Sequence, residues 1–248
     1  MNDFRNRMGA AGGQVIGGAA DTELGLKSFM LGTYRWMALA MLVTAGVAYV
    51  LGLQMRVNPS IAQMLANPLV VLGFVIGIPI AFAGVGRKLP TMSMGGVLTF
   101  LFGFAAVLGV FMSVIAAFVD PMVTAKIFFM TVAMFGALSM FGYTTKFNLT
   151  AIVKYAFAVF IGYVVLRVAG MFIPALAVTG PLDTIITVVA LAAIAAITAW
   201  ETQMLKRVYY SMGGDTQMLN KMSAYGAASL LLAFVNMFQL LMSLFGRD

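Results

Sequence analysis

A single carboxylate closes a long uncharged segment in the second half of the chain. Residues 184–200 carry no charged side chain, and Glu201 follows within the stretch Thr198-Ala-Trp-Glu-Thr-Gln203. A carboxylate can exchange a proton or bind a hard cation through its oxygens. In a segment this apolar, an ionisable residue is by default a candidate functional group. Glu201 is therefore the first candidate for chemistry.

The composition indicates that lipid is the main solvent of this chain. Of its 248 residues, 62% are hydrophobic and only 9% are charged, whereas soluble domains carry about 25% charged residues. The net charge of +7 is spread in short basic groups between apolar runs, which is the pattern of membrane topology. We therefore expect the lipid bilayer as a partner and no nucleic acid.

Cysteine and histidine are both absent from the sequence. Their absence excludes disulfides, Cys/His zinc sites and the Ser-His or Cys-His arrangements of nucleophilic catalysis. Glu201 also has no second acid nearby in its own span. We expect a protein that is not an enzyme and that holds no cofactor.

The gaps between charged residues are long enough for seven membrane-spanning helices, since one crossing takes about 20 apolar residues. The predicted spans are residues 30–52, 68–86, 92–117, 122–143, 149–173, 182–205 and 222–245. Loops this short leave no soluble domain, so residues 26–248 form one all-α transmembrane domain. Residues 1–25 are small, polar and rich in glycine, and we predict a flexible cytoplasmic tail.

The basic residues also predict the orientation of the bundle. With the N-terminus inside and the C-terminus outside, most of the 15 Lys and Arg residues fall in inner segments. This is the distribution expected from the positive-inside rule.

Depth along the helices restricts the partners of Glu201. Asp183 lies 18 residues earlier on the sixth span, roughly 27 Å away, at the outer end. Arg167 is also at the outer end, where it can pair with Asp183 or Asp120 or extend to the headgroups. Arg35, at the inner end of the first span, has the depth to be the charge partner of Glu201.

Semi-polar stripes on the last two spans indicate a candidate ion pathway. Residues three or four apart share a helix face. On the sixth span this spacing joins Thr184, Thr187, Leu191, Ile194, Thr198 and Glu201. On the seventh span it joins Tyr225, Ser229, Ala233 and Asn236. The stripes could line a hydrated pathway, or they could make ordinary hydrogen bonds between helices. We select Glu201, Thr198, Ser229 and Asn236 as pathway or sensor residues, with Glu201 as the one metal-ligand candidate.

Glycines give two further expectations. Gly73 and Gly77 in the second span have the spacing of a close helix–helix contact. Gly142, in the phrase Gly142-Tyr-Thr-Thr-Lys146, is expected to stop the fourth helix at the inner side.

Several phrases together resemble the Bax inhibitor-1 family, also called the transmembrane Bax-inhibitor-motif family, in its bacterial form. They are residues 135–146 (ending Gly-Tyr-Thr-Thr-Lys), 198–206, 234–238 and 244–246, with Tyr34-Arg-Trp-Met37 near the start. The resemblance runs from about residue 28 to the C-terminus. It implies a seven-helix bundle with the last helix at its centre, in a bacterial inner membrane. It also implies a proton-sensitive calcium leak, gated by two hydrogen-bonded aspartates on the sixth and seventh helices.

The chain departs from this pattern at both acids. The sixth-helix acid is Glu201, and the seventh-helix position, directly before Phe234, is Ala233. The two-acid sensor is therefore incomplete. We expect a calcium leak channel, with calcium as the transported ion. The alternative is a non-conducting protein that binds and modulates other membrane proteins, such as a membrane protease. The sequence does not set the oligomeric state.

Overall fold

The computed structural model describes the backbone of residues 2–212 and 215–246 and the side chains of residues 22–212 and 215–246. Its helices are α1 (Asn2–Val57), α2 (Ser60–Leu65), α3 (Pro68–Lys88), α4 (Met94–Phe118), α5 (Pro121–Thr144), α6 (Thr150–Phe172), α7 (Pro181–Ser211) and α8 (Thr216–Phe245), with a 3₁₀ turn at Pro174–Leu176. All but α2 are long and apolar enough to cross a membrane, α1 through its part Thr22–Val57. The predicted all-α bundle of seven spans is confirmed.

Side-chain caps define where several helices begin. Asn67, Ser93, Asp120 and Asp215 each accept a hydrogen bond from a backbone N–H in the first turn of the helix that follows. Such caps satisfy donors that would otherwise lack a partner at a helix start. These short polar residues are visible in the sequence, which is why the predicted starts of α3 and α5 agree closely with the structure.

Three spans are longer than predicted by more than one helical turn. The first covers Thr22–Val57 rather than 30–52, α7 continues to Ser211 rather than 205, and α8 begins at Thr216 rather than 222. The predicted ends of these spans lie next to basic residues, but the helices continue past those residues, as α7 does past Lys206. The predicted flexible tail, residues 1–25, falls largely outside the described side chains and stays a prediction.

Helix α8 is the centre of the bundle, as the resemblance implies. It packs against α1, α4, α5 and α7, and Leu230, Leu231 and Met237 are completely buried. With α8 in this place, residues that it presents to α7 lie inside the protein and not against lipid.

Helix α3 lies at the periphery and has no buried residue. The predicted helix contact through Gly73 and Gly77 is wrong, since a Cβ added at either glycine would meet no atom within 4 Å. The Tyr225 hydroxyl of α8 donates a hydrogen bond to the Phe82 carbonyl of α3 at 3.1 Å. The Phe82 ring also packs edge-on against Phe100 of α4. Helix α3 is thus attached near its C-terminal end.

Because consecutive spans alternate in direction, α3, α5 and α7 finish at the end where α4, α6 and α8 begin. We call this the basic end. It carries Arg87, Lys88, Lys146, Lys154, Lys206, Arg207 and Lys221. Contacts between segments confirm the grouping, since the Lys221 ammonium donates to the Pro90 carbonyl at 3.2 Å. The side of the membrane that this end faces stays a prediction.

Candidate functional site

The central feature of the site is a hydrogen bond between α7 and α8. The Ser229 hydroxyl donates to Oε1 of Glu201 across 2.5 Å. The second oxygen, Oε2, is buried and has no hydrogen-bond partner within the described part of the chain. Two of the selected residues are therefore in contact, and the two stripes face each other at this depth. The free oxygen is the atom that can take a proton or a cation.

The threonine hydroxyls of the α7 stripe are satisfied within their own helix. Thr198 is completely buried and donates to the Ile194 carbonyl at 2.8 Å. Thr187 does the same with the Asp183 carbonyl, also at 2.8 Å. Thr184 is exposed and does not share the buried face. The α7 stripe thus needs no water to satisfy these hydroxyls, as the ordinary packing interpretation expects.

The other polar candidates, Asn236 and Arg35, form no hydrogen bond or ion pair with Glu201 in the described part of the chain. Ala233 is buried one turn beyond Ser229. Asn236 is half-buried and lies roughly 10 Å along α8 from Ser229, since each residue rises 1.5 Å. Arg35 is exposed on α1, and the structure does not bring its guanidinium to Glu201. The depth of Arg35 is suitable, but its side chain points away from the bundle.

The two residues that precede Glu201 contact two other helices, α5 and α6. Trp200 packs edge-on against Phe157 of α6, with ring centroids 5.9 Å apart. A Cβ added at Gly142 of α5 would lie 2.0 Å from the Ala199 carbonyl oxygen. The backbone that carries Glu201 is therefore packed between α5 and α6, through Ala199 and Trp200.

Helix α5 ends at Thr144, inside the phrase Gly142-Tyr-Thr-Thr-Lys146 as expected. The role expected for the glycine is wrong, because Gly142 lies within the last turn of the helix and, within the described residues, the only glycine with positive φ is Gly180. Gly142 is required because α5 and α7 approach too closely for a side chain. The two phrases that carry the family resemblance thus meet in space.

Gln203 is a structural residue that the sequence reasoning missed. Its Nε2 donates to the Phe147 carbonyl at 2.7 Å, and its Oε1 accepts from the Leu149 amide at 3.1 Å. The Arg207 guanidinium donates to the same Oε1 at 2.8 Å. Gln203 therefore fastens the α5–α6 connection to α7. The only signal in the sequence is an uncharged amide two residues after Glu201.

The opposite end of α7 holds an ion pair at the depth predicted. The Arg167 guanidinium lies 2.6 Å from Oδ1 of Asp183 and donates to the Thr187 hydroxyl at 2.9 Å. A cavity of about 340 Å³ adjoins this pair. The predicted pairing of Arg167 with Asp183 is confirmed, and it leaves Glu201 as an independent site.

Glu201 is also alone as a potential metal ligand. The described residues contain no group of three or more His, Cys, Asp or Glu side chains that could hold a metal ion. Glu201 does not line the cavity beside Arg167 or a larger groove between α1 and α5. The carboxylate lies at the contact of α7 with α8, and its Oε2 atom is buried there.

Comparisons with known proteins cover almost the whole chain. Residues 26–248 match the family model described as "Inhibitor of apoptosis-promoting Bax1". An uncharacterised protein of Caulobacter vibrioides is 33% identical, with 100% of this chain and 99% of that protein aligned. The inner membrane protein YbhL of Escherichia coli K12 is 30% identical, over 90% of this chain and 93% of YbhL. An uncharacterised protein of Rickettsia prowazekii is 27% identical, over 90% and 91%.

Proposed function

Because this chain belongs to the Bax inhibitor-1 family and is an integral protein of the inner membrane, we propose that it is a proton-sensitive calcium leak channel. The observation that carries the proposal is the Glu201 carboxylate, with one oxygen bound by Ser229 and the other without a partner. This geometry supports a gate at the α7–α8 contact whose state depends on the proton of Glu201.

The gate follows from the cost of a buried charge. A protonated Glu201 is neutral and is accommodated between two apolar helices. Loss of the proton leaves a negative charge where the medium screens it poorly, and such a charge is unfavourable without a cation or water. Separation of α8 from α7 admits both. Deprotonation therefore favours the open form, and calcium flux rises with pH.

The ligand set favours passage of the ion over its retention. Calcium takes about six to eight oxygen ligands, whereas this site offers one carboxylate and the Ser229 hydroxyl. Water and backbone carbonyls must supply the others, so binding is weak and release is fast. Ala233 supplies no second acid, and proton sensing rests on Glu201 alone.

The proposal is tested with the purified full chain in liposomes that contain a calcium-sensitive dye. We expect calcium influx above that of empty liposomes and a higher rate at alkaline than at acidic pH. Glu201→Gln is expected to remove the pH dependence, because the amide cannot lose a proton in this range. Glu23→Gln, which changes an exposed carboxylate on α1, is the matched control and should behave as the wild type. Flux equal to that of empty liposomes at every pH would refute the channel.

A second variant tests the place of residue 233. Ala233→Asp puts a carboxylate one turn from Ser229, and two neighbouring carboxylates cannot both ionise cheaply. We expect a steeper pH response than in the wild type. An unchanged response would show that residues 201 and 233 do not act on each other.

The second candidate function is a non-conducting protein that binds other membrane proteins. The observation in its favour is α3, which has no buried residue and presents Leu69, Ile76 and Ile80 to the membrane. A partner helix could pack on this face. A photoreactive residue in place of Ile76 that crosslinks to another membrane protein in cells, together with no flux in liposomes, would favour this function. Neither function assigns catalysis or a bound cofactor to the chain.

A further inference from the structure

A groove of about 500 Å³ runs along the bundle between α1 and α5. Its walls are mainly methionine and aromatic side chains, from Met30 to Met41 on α1 and from Tyr143 to Val132 on α5, and Phe234 of α8 contributes to the lining. The groove begins near the basic end and extends toward the middle of the membrane.

The length and the lining of the groove suit a hydrocarbon chain. Met30 to Met41 covers roughly 16 Å of helix. A channel of this length with mainly apolar walls matches an acyl chain of a membrane lipid.

One polar side chain belongs to the wall of this groove. Ser139 is only 6% exposed and lines the groove. Its hydroxyl oxygen is buried in that wall and has no hydrogen-bond partner among the described residues. The surface that the groove offers to a ligand is therefore mainly apolar.

Two lysines lie at the end of the groove that is nearest the basic end. Lys27 is exposed on α1, one turn before Met30 and on the face that carries Met30 and Tyr34. Lys206 of α7 donates to the Tyr143 carbonyl at 3.1 Å and lies 5.0 Å from the centre of the Tyr143 ring. From the basic end inward, the groove therefore has cations first and then an apolar channel.

We propose that this groove binds one anionic phospholipid of the leaflet at the basic end. The phosphate lies between Lys27 and Lys206, and one acyl chain extends along the groove toward Met41. The site is separate from the Glu201 gate and does not depend on ion conduction.

The charge part of the proposal is tested by lipid retention. The full chain is extracted from bilayers of equal amounts of phosphatidylglycerol and phosphatidylcholine with identical acyl chains, and retained lipid is counted by native mass spectrometry. We expect one phosphatidylglycerol retained in preference to phosphatidylcholine. Lys27→Gln should lower its retention about fivefold, the equivalent of about 1 kcal/mol for a basic residue at a membrane surface. Lys154→Gln, at an exposed lysine at the same end, should leave retention unchanged.

The channel part is tested by filling the groove. Gly136 lines the groove, and an added Cβ there meets no atom within 4 Å, so Gly136→Leu should abolish retention. Gly103 is equally exposed and open on α4, and Gly103→Leu is the matched control that should keep the lipid. Equal retention of both lipids by the wild type, or full retention in Gly136→Leu, overturns the proposal. Crosslinking of a photoreactive residue at Ala38 to a polypeptide rather than to lipid also overturns it. If Gly136→Leu does not fold, the comparison of Lys27→Gln with Lys154→Gln decides alone.

Discussion

Gly142→Ala is expected to destabilise the bundle by forcing α5 and α7 apart. The added Cβ would lie 2.0 Å from the Ala199 carbonyl oxygen, whereas a carbon normally stays about 3.3 Å or more from such an oxygen. The two helices must therefore separate by roughly 1 Å. Overpacking of this kind costs about 1–3 kcal/mol, occasionally more, and replacing a helical glycine by alanine returns up to about 1 kcal/mol. We expect a net loss of about 2 kcal/mol.

The measurement is thermal unfolding of the purified variant in detergent. A loss of about 2 kcal/mol corresponds to a fall in Tm of about 4–8 °C for a chain of this length. Gly136→Ala is the matched control on the same helix, since its Cβ meets no atom within 4 Å. It should melt at or slightly above the wild-type temperature. If Gly142→Ala were as stable as Gly136→Ala, the close contact of α5 with α7 would be refuted.

Three further variants test other contacts by unfolding or exchange. Gln203→Ala removes the two hydrogen bonds that hold the α5–α6 connection. We expect the free energy of unfolding to fall by about 2 kcal/mol and amide exchange over residues 147–149 to become faster. Gln63→Ala, at an exposed glutamine on α2, should change neither quantity. Arg167→Met removes the guanidinium that pairs with the buried Asp183 carboxylate, and it should lower the free energy of unfolding by about 3–5 kcal/mol. The double variant Arg167→Met/Asp183→Leu should recover most of this stability. A double variant no more stable than the single one would contradict the reasoning. Gly180→Ala places a side chain on a residue with φ 69°, and it should lower the free energy of unfolding by about 1–2 kcal/mol. The measurement is Tm, which should fall. An unchanged Tm would mean that the backbone of this turn changes its conformation to accept the side chain.

Features that depend on one helix at a time could be predicted from the sequence. The number of spans follows from the length of the uncharged runs. Depth along its own helix places Arg167 at the end of the bundle opposite Glu201, and Asp183, one of the partners considered for it there, is the one that it contacts. The ends of the helices are harder to predict from the sequence where basic residues lie inside a helix and not at its end. Lys206 illustrates the reason, since its ammonium bonds to the Tyr143 carbonyl and α7 continues beyond it.

Features that depend on the direction of a side chain around its helix could not be predicted. Arg35 has the depth to reach Glu201, but it is exposed on the outer face of α1. Gly142 is near a helix end, and only the position of Ala199 shows that close packing is its role. Gln203 bonds to a connection more than 50 residues earlier in the chain. Such roles become visible only when the neighbouring helix is known.

The central position of α8 has a consequence for biosynthesis. Chains are made and folded from the N-terminus, yet the helix that fills the core of this bundle comes after the other six spans in chain order. Until α8 inserts, the Glu201 side chain has no Ser229 hydroxyl to bind. The contacts of α1 with α4 and of α5 with α7 can form earlier, because they do not involve α8. The insertion of α8 then adds the element that packs against all four helices, so the core between them closes only at that step.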